Sequence, residues 1–319
     1  MNNFGHYLRN AARSLIKSPS FTLFAVLTLA LGIGVNTAIF SVAHAILFRP
    51  LPFGDPDSLV MIWGNNPRLK LGRDKLPSSV ADFIDWREQN KSFQDLATFT
   101  TFSFALTEGD VPEKIDSALC SASFFSVLGT PAARGRVFVP GEDKAGNNHV
   151  AVISDNLWRR RFGGDPNVLG KTLTLTGEKY EVIGIMPPGF DFPQNASVPE
   201  FGFTAQTELW VPLVWDEVAI KDRRSLSLPV VARLKPGVTL PQAQADMSAI
   251  AANIDQQYKK SLGFGATVTE LREQMVGDYR LALLVLLGTA AFVLVIACSN
   301  IANLLLVWFL RRQKEFAVR

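Results

Sequence analysis

Two stretches decide what this chain can be. Residues 21–47, FTLFAVLTLALGIGVNTAIFSVAHAIL, contain no Asp, Glu, Lys or Arg, and neither do residues 281–310, LALLVLLGTAAFVLVIACSNIANLLLVWFL. A helix needs about 20 apolar residues to cross the hydrocarbon core of a bilayer. Each stretch is long enough, with tilt or a buried end taking up the surplus. The first exceeds the apolar core of a signal peptide, about 7–15 residues, and no small-residue cleavage site follows in FRPLPFG. It reads as an uncleaved anchor. The expected fold is an α/β membrane protein, with transmembrane helices at 20–47 and 281–310 flanking a mixed α/β external domain at 48–280.

Orientation follows from Lys and Arg near the membrane ends. Arg9, Arg13 and Lys17 precede the first span with no acid, and Arg311, Arg312, Lys314 and Arg319 follow the second against Glu315 alone. Between the spans both signs mix: Arg49 with Asp55 and Asp57, then Arg272 and Arg280 with Glu270, Glu273 and Asp278. Both termini are therefore expected in the cytoplasm. The net charge of +3 comes largely from these anchors, so the expected surface is the lipid bilayer and not nucleic acid. In residues 1–19, Phe4, Leu8, Ala11, Ala12, Leu15 and Ile16 recur at helical spacing while the basic residues take other faces. This predicts an amphipathic helix lying in the membrane interface, broken by Pro19.

The external domain reads as strands at SLVMIW, TFTTFSFAL, HVAVIS, LWVPLV, LPVVARL and ATVTEL, with a hairpin turning at Thr176 and Gly177. A helix is expected in SSVADFIDWREQN, with Ser79 and Asp82 as a capping pair. Another runs through VTLPQAQADMSAIAANIDQQYKK, with Thr239 and Gln242 as its box and a stripe of Leu240, Ala243, Met247, Ile250, Ala251, Ile254 and Tyr258. The turn-rich stretch at about 121–226 suggests a second lobe inserted into a split α/β lobe.

GGDPNVLGKT, residues 163–172, contains the last three letters of a phosphate-binding G-x-x-x-x-G-K-[ST] loop, but Asp165 stands where the leading glycine belongs. The stretch lies between a predicted helix and a predicted strand, the reverse of the strand-to-helix context such a loop needs. It reads as a turn, and any ATP hydrolysis belongs elsewhere. Asp82, Asp85 and Glu88 read as a solvated helix face, GEDKAGNN as a polar loop, and Arg159, Arg160 and Arg161 as a solvated basic helix. No catalytic constellation emerges. Cys120, Cys298, His6, His44 and His149 lack metal-ligand spacing, so neither an enzyme, a metal nor a cofactor is expected.

Within the spans, Ala30, Gly34 and Ala38 are spaced by four, as are Ser41 and Ala45, and Asn300 and Asn303 share a face. Small residues let helices approach closely, and carboxamides in hydrocarbon need partners. These positions suit packing between the chain's own two helices, a seam to further helices or a second copy, or both.

The segments LRNAARSLIKSPSFTLFAVLTLALGIGVNTAIFSVAHAILFRPLPF, SSVADFIDWREQNKSFQDLA, FFSVLGTPAARGRVF, VAVISDNLWRRRFGGDPNVLGKTLTLTGEKYEVIGIMPPGFDFP, VVARLKPGVTLPQAQADM and IACSNIANLLLVWFLRRQKEFAVR closely resemble MacB-like bacterial ABC transporter permeases of the acidobacterial-type group. The likeness covers nearly the whole chain. It implies an inner-membrane permease whose periplasmic core has a porter-like lobe and an inserted lobe. A separate ATPase would drive movements of that core for export or efflux. The expected partners are that ATPase, further permease spans or a second permease copy, and periplasmic or outer-membrane components. In the resembling permeases the segment after the second span begins a cytoplasmic helix that docks on the ATPase. This assigns Arg311, Arg312, Glu315, Phe316 and Val318, in residues 311–319, to the partner contact. Relatives continue past EFAVR into further spans, so the resemblance makes this chain a truncated product, a split subunit or a fragment. Two other readings are a two-span receptor with an external sensing domain, which would need a cytoplasmic output module, and an inactive permease remnant.

Overall fold

A computed structural model describes residues 19–47, 51–66, 68, 75–107, 112–190, 192–193, 206–258 and 263–317. The interfacial helix expected over 1–19 lies outside them apart from Pro19, and so does Val318. The chain divides into two compact units: Met1–Arg49 with Val276–Arg319, and Pro50–Met275.

The first unit holds α1 (Pro19–Leu47). The second unit follows in chain order as β1 (Leu59–Asn65), α2 (Val80–Gln89), β2 (Phe93–Leu106), β3 (Glu113–Cys120), α3 (Phe124–Leu128), β4 (Arg134–Gly135), β5 (Val150–Ile153), α4 (Asp155–Phe162), β6 (Thr172–Leu175), β7 (Glu178–Ile185), β8 (Leu209–Pro212), α5 (Glu217–Lys221), β9 (Val230–Leu234), α6 (Leu240–Tyr258) and β10 (Gly265–Glu270). The last helix, α7 (Leu271–Ala317), starts in this unit and supplies the second helix of the first. Stretches 22–41 and 282–303 are long and apolar enough to cross a membrane.

The strands form a mixed α/β domain on one sheet in the order β10-β1-β9-β2-β3-β8-β5-β7-β4, with β6 joining β7 and β2. β2 is the shared member. Its first part pairs with β9 as far as Thr98↔Val230, and its second part pairs with β3 from Phe99↔Cys120. Because β6 lies against β7 along its length and meets β2 at Leu106↔Leu175, the strands β2-β3-β8-β5-β7-β6 close into a ring. One half of the sheet is thus open and the other closed. The closed half takes in 99–106 and 113–120, ahead of the 121–226 stretch expected to form a second lobe.

Alternation along β1 explains its unbroken apolar run. Val60 and Ile62 face a core with Phe83 and Trp86 of α2 and Met247, Ile250 and Ile254 of α6, while Leu59, Met61 and Trp63 face a second core. A strand buried on both faces reads as continuously hydrophobic. A third core fills the closed half with Phe104, Leu106, Ile115, Ile153, Leu173, Val182 and Leu209.

Local signals explain the helix starts. Ser79 accepts the Asp82 N–H at 3.1 Å, and the Gln242 carboxamide oxygen accepts the Thr239 N–H at 2.8 Å. The α6 stripe is buried from Ala243 to Ile254. It stops short of Tyr258, which is 51% exposed and carries the Arg223 guanidinium 4.0 Å from its ring centroid. The stripe expected to run on to Tyr258 therefore ends, as a buried face, at Ile254. The hairpin turns where expected: Thr176 and Gly177 both have positive φ, 52° and 90°, the conformation of a tight strand reversal.

Candidate functional site

The chain enters the Pro50–Met275 unit through residues 51–58 and leaves it through the first turn of α7. Both passages are pinned. On the entry side Phe53 is buried in the second core, with Leu51 packed against it. The Gly54 N–H donates to Leu128 O at 3.2 Å. A Cβ on Gly54 would sit 2.7 Å from the carbonyl oxygen of Gly129, so only glycine permits this approach. Gly129 closes α3 in the left-handed conformation, φ 64°.

Arg233 of β9 fixes the same segment. Its guanidinium donates to Gly54 O at 2.6 Å, Ser58 Oγ at 2.6 Å, Asp55 O at 3.1 Å and Val127 O at 2.8 Å. Burial lowers its pKa, against which the Asp55 carboxylate, 3.9 Å away, pulls upward. The cation is held chiefly by carbonyl dipoles. A buried charge of this kind is tolerable only while its donors are satisfied, so the segment and Arg233 hold each other.

On the exit side Leu271 is buried in the same core and Met275 packs against it. The Gln274 carboxamide oxygen accepts from Trp63 Nε1 at 3.2 Å and from Lys75 Nζ at 2.8 Å. Arg272 lies 3.8 Å from Asp57, which joins exit to entry. That pair is exposed and contributes little. The principal shared feature is the core itself, in which both chain passages are seated.

The expected helix-packing residues lie elsewhere than on the seam between α1 and α7. Ala30, Gly34 and Ala38 are exposed, as are Asn300 and Asn303. The two helices meet at Gly32, where a Cβ would stand 3.1 Å from that of Ala297. Among the described side chains of α7 in this unit, Leu283, Ala290 and Ala297 are the buried ones, spaced by seven. That spacing was available in the sequence; the closest contact was not, because small residues recur on several faces. Arg311, Arg312, Glu315 and Phe316 fall in the backbone of α7, with side chains outside the described residues.

Three polar groups expected in solvent are structural. Asp82 is buried, not part of a solvated face: its Oδ1 accepts from Arg223 at 2.8 Å, and Asp85 Oδ2 accepts from the same guanidinium at 2.5 Å. Burial opposes the charge of Arg223, but its hydrogen bonds to Asp85 and Asp82 outweigh that and raise its pKa. Arg160 is not free on α4: it bridges Glu113 and Glu208, the latter at 2.8 Å. In the GEDKAGNN loop Glu142 takes both arms of Arg136, at 2.7 and 3.0 Å, and Asp143 accepts the Ala122 N–H at 3.0 Å. Pattern alone hides such pairs, because each partner is distant in sequence or sits in an irregular loop.

The GGDPNVLGKT stretch forms a turn from α4 into β6. Lys171 Nζ is 2.6 Å from Asp165 Oδ2, and Trp158 Nε1 donates to Asp165 O at 2.8 Å. The Lys171 hydrogen bond lowers the pKa of Asp165. The lysine is engaged within its own turn, and a strand follows where a phosphate loop would open a helix.

Residues 22–250 match the MacB-like periplasmic core domain. The chain belongs to that family. The macrolide export ATP-binding/permease protein MacB of Burkholderia thailandensis is 26% identical over 196 residues, 61% of this chain and 28% of that protein. This MacB-like chain therefore spans under a third of the length of that curated relative. A domain of a Porphyromonas gingivalis protein described as a permease shares the fold, with a TM-score of 0.50 at 17% identity over 68% of this chain and 92% of that one. The periplasmic region of MacB from Actinobacillus actinomycetemcomitans aligns with a TM-score of 0.46 at 16% identity, over 68% and 90% of the two chains. Of the two described stretches long and apolar enough to cross a membrane, 22–41 lies inside the matched region and 282–303 follows it.

Proposed function

We propose that this chain is a permease subunit, or the N-terminal part of one, of a MacB-like ABC transporter in the bacterial inner membrane. Its termini are cytoplasmic and the Pro50–Met275 unit is periplasmic. ATP hydrolysis by a separate ATPase moves the membrane helices, and the periplasmic unit follows to drive export or efflux. The observation that carries this reading is the seating of both chain passages, 51–58 and 271–275, in one close-packed core. Protein interiors transmit displacement because they are as dense as organic crystals. The outward positions Ala30, Gly34, Ala38, Asn300 and Asn303 pack on further permease helices or a second copy, which would cover carboxamides otherwise facing hydrocarbon.

Arg311, Arg312, Glu315, Phe316 and Val318 contact the ATPase, with Phe316 as the aromatic anchor. Co-purification with the ATP-binding subunit of the same system tests this. Wild type is expected to recover the partner, and Phe316→Ala to recover several-fold less. Equal recovery removes Phe316 from the contact, and no recovery in either case contradicts the subunit assignment.

A further inference from the structure

We propose that the Pro- and Phe-rich stretch following β7 is a tie that couples the membrane-linked segment 51–58 to the closed half of the sheet. Its purpose rests on the permease reading; its geometry does not. β7 pairs with β4, β5 and β6 in the closed half. Met186 N–H donates to Ile153 O of β5 at 2.8 Å, so the strand is fixed up to its last residue. Pro187 and Pro188 come next, and their rings restrict the backbone where the chain leaves the strand. Phe190 and Phe192 are both buried, but not in the closed half's own core. They insert into the core that seats both chain passages, where Ile183 of β7 and Met186 also lie, and they supply the aromatic contacts to the entry segment.

There they meet the entry segment directly. The ring of Phe53 stands edge-on to Phe192 at 5.4 Å and to Phe190 at 6.2 Å. Phe192 is backed by Phe99 of β2 at 5.3 Å and Phe124 of α3 at 5.7 Å. From β8, Trp210 donates its Nε1 hydrogen to Phe192 O at 2.9 Å, and its ring lies 5.3 Å from Phe190. Phe192 is thus fixed by ring contacts on several sides and by its own carbonyl. Edge-on aromatic pairs have directional preference beyond simple burial, and a core without slack passes on a displacement. Movement of Phe53 therefore reaches β7 through Phe192 and Phe190.

Hydrogen exchange by mass spectrometry on the full chain in lipid nanodiscs tests this. Arg233→Ala releases 51–58 without touching the tie. Ser58→Ala, which removes one of the Arg233 contacts and leaves the rings intact, is a milder second perturbation in case the first variant fails to fold. Either is expected to raise exchange across 172–185 by about 10-fold, alongside 51–58, as a coupled local opening does. In a Phe192→Leu background, which keeps apolar volume but removes the ring edges, the same perturbation is expected to leave 172–185 nearly unchanged. A response confined to 51–58 and β9 overturns the tie, and so does a response in 172–185 that is the same with and without Phe192. No arm involves the ATPase, so failure here is distinct from failure of the co-purification.

Discussion

Arg223 shows how much one side chain holds. It lies between Asp82 and Asp85 and stacks on Tyr258, joining α2, the strap after α5 and the end of α6. Truncating it takes the guanidinium away from Asp82, whose side chain is 5% exposed. Losing one partner of a buried pair costs about 3–5 kcal/mol. Arg223→Ala is expected to lose that much in denaturant unfolding, and Arg223→Ala/Asp82→Asn to regain part of it. Equal stability of the two variants would mean that the charge is not the source of the loss. Tyr180 supplies a pH signature. Burial, helped by its hydrogen bond to Glu178, raises its pKa from 10.0 to about 12. The fold thus favours the neutral phenol. The contribution is present below pH 10 and is lost as pH rises towards 12. Tyr180→Phe cannot ionise, so its melting temperature should fall less than wild type across that window; parallel curves would contradict the assignment. Neither feature was legible in the sequence. Arg223 lies 141 residues from Asp82, and no spacing rule connects them.

Among the elements, those with a period and a cap were readable. Ser79 and Thr239 mark the starts of α2 and α6, and Thr176–Gly177 marks the hairpin, because capping and turn chemistry act over three or four residues. β3 was missed. Its sequence, EKIDSALC, buries Ser117 beside Ile115 and Ala118, so polarity does not alternate with burial. The seam between α1 and α7 was missed for a related reason: several faces offer small residues, and only packing selects Gly32. Gly32→Leu is expected to drive a side chain into Ala297 and separate the helices. Gly34→Leu, with nothing within 4 Å of its Cβ position, should leave this pair intact. The distance between spin labels placed at Leu31 and Leu294, with Cys120 and Cys298 replaced, would report the difference, with Gly32→Leu lengthening it and Gly34→Leu having little effect. Equal distances would place the seam elsewhere.

At the scale of the molecule, two helices long and apolar enough to cross a membrane and a mixed α/β domain between them follow from two charge-free stretches and the patterning between them. The division of the sheet did not. β2 serves both halves, so no boundary in composition marks where the open half ends and the ring begins. Nor did the sequence show that residues 51–58 and 271–275, more than 200 positions apart, share one core. That shared core is the basis for treating the unit as a follower of its membrane helices. The most direct test places spin labels at Lys144, in the polar loop before β5, and at Gln257 on α6, with Cys120→Ala and Cys298→Ser removing the native thiols. In proteoliposomes with the partner ATPase, ATP plus vanadate should shift the interlabel distance distribution, and Arg233→Ala should abolish the shift while the partner stays bound. An unchanged distribution in the wild-type complex, with nucleotide and partner both bound, would contradict the account.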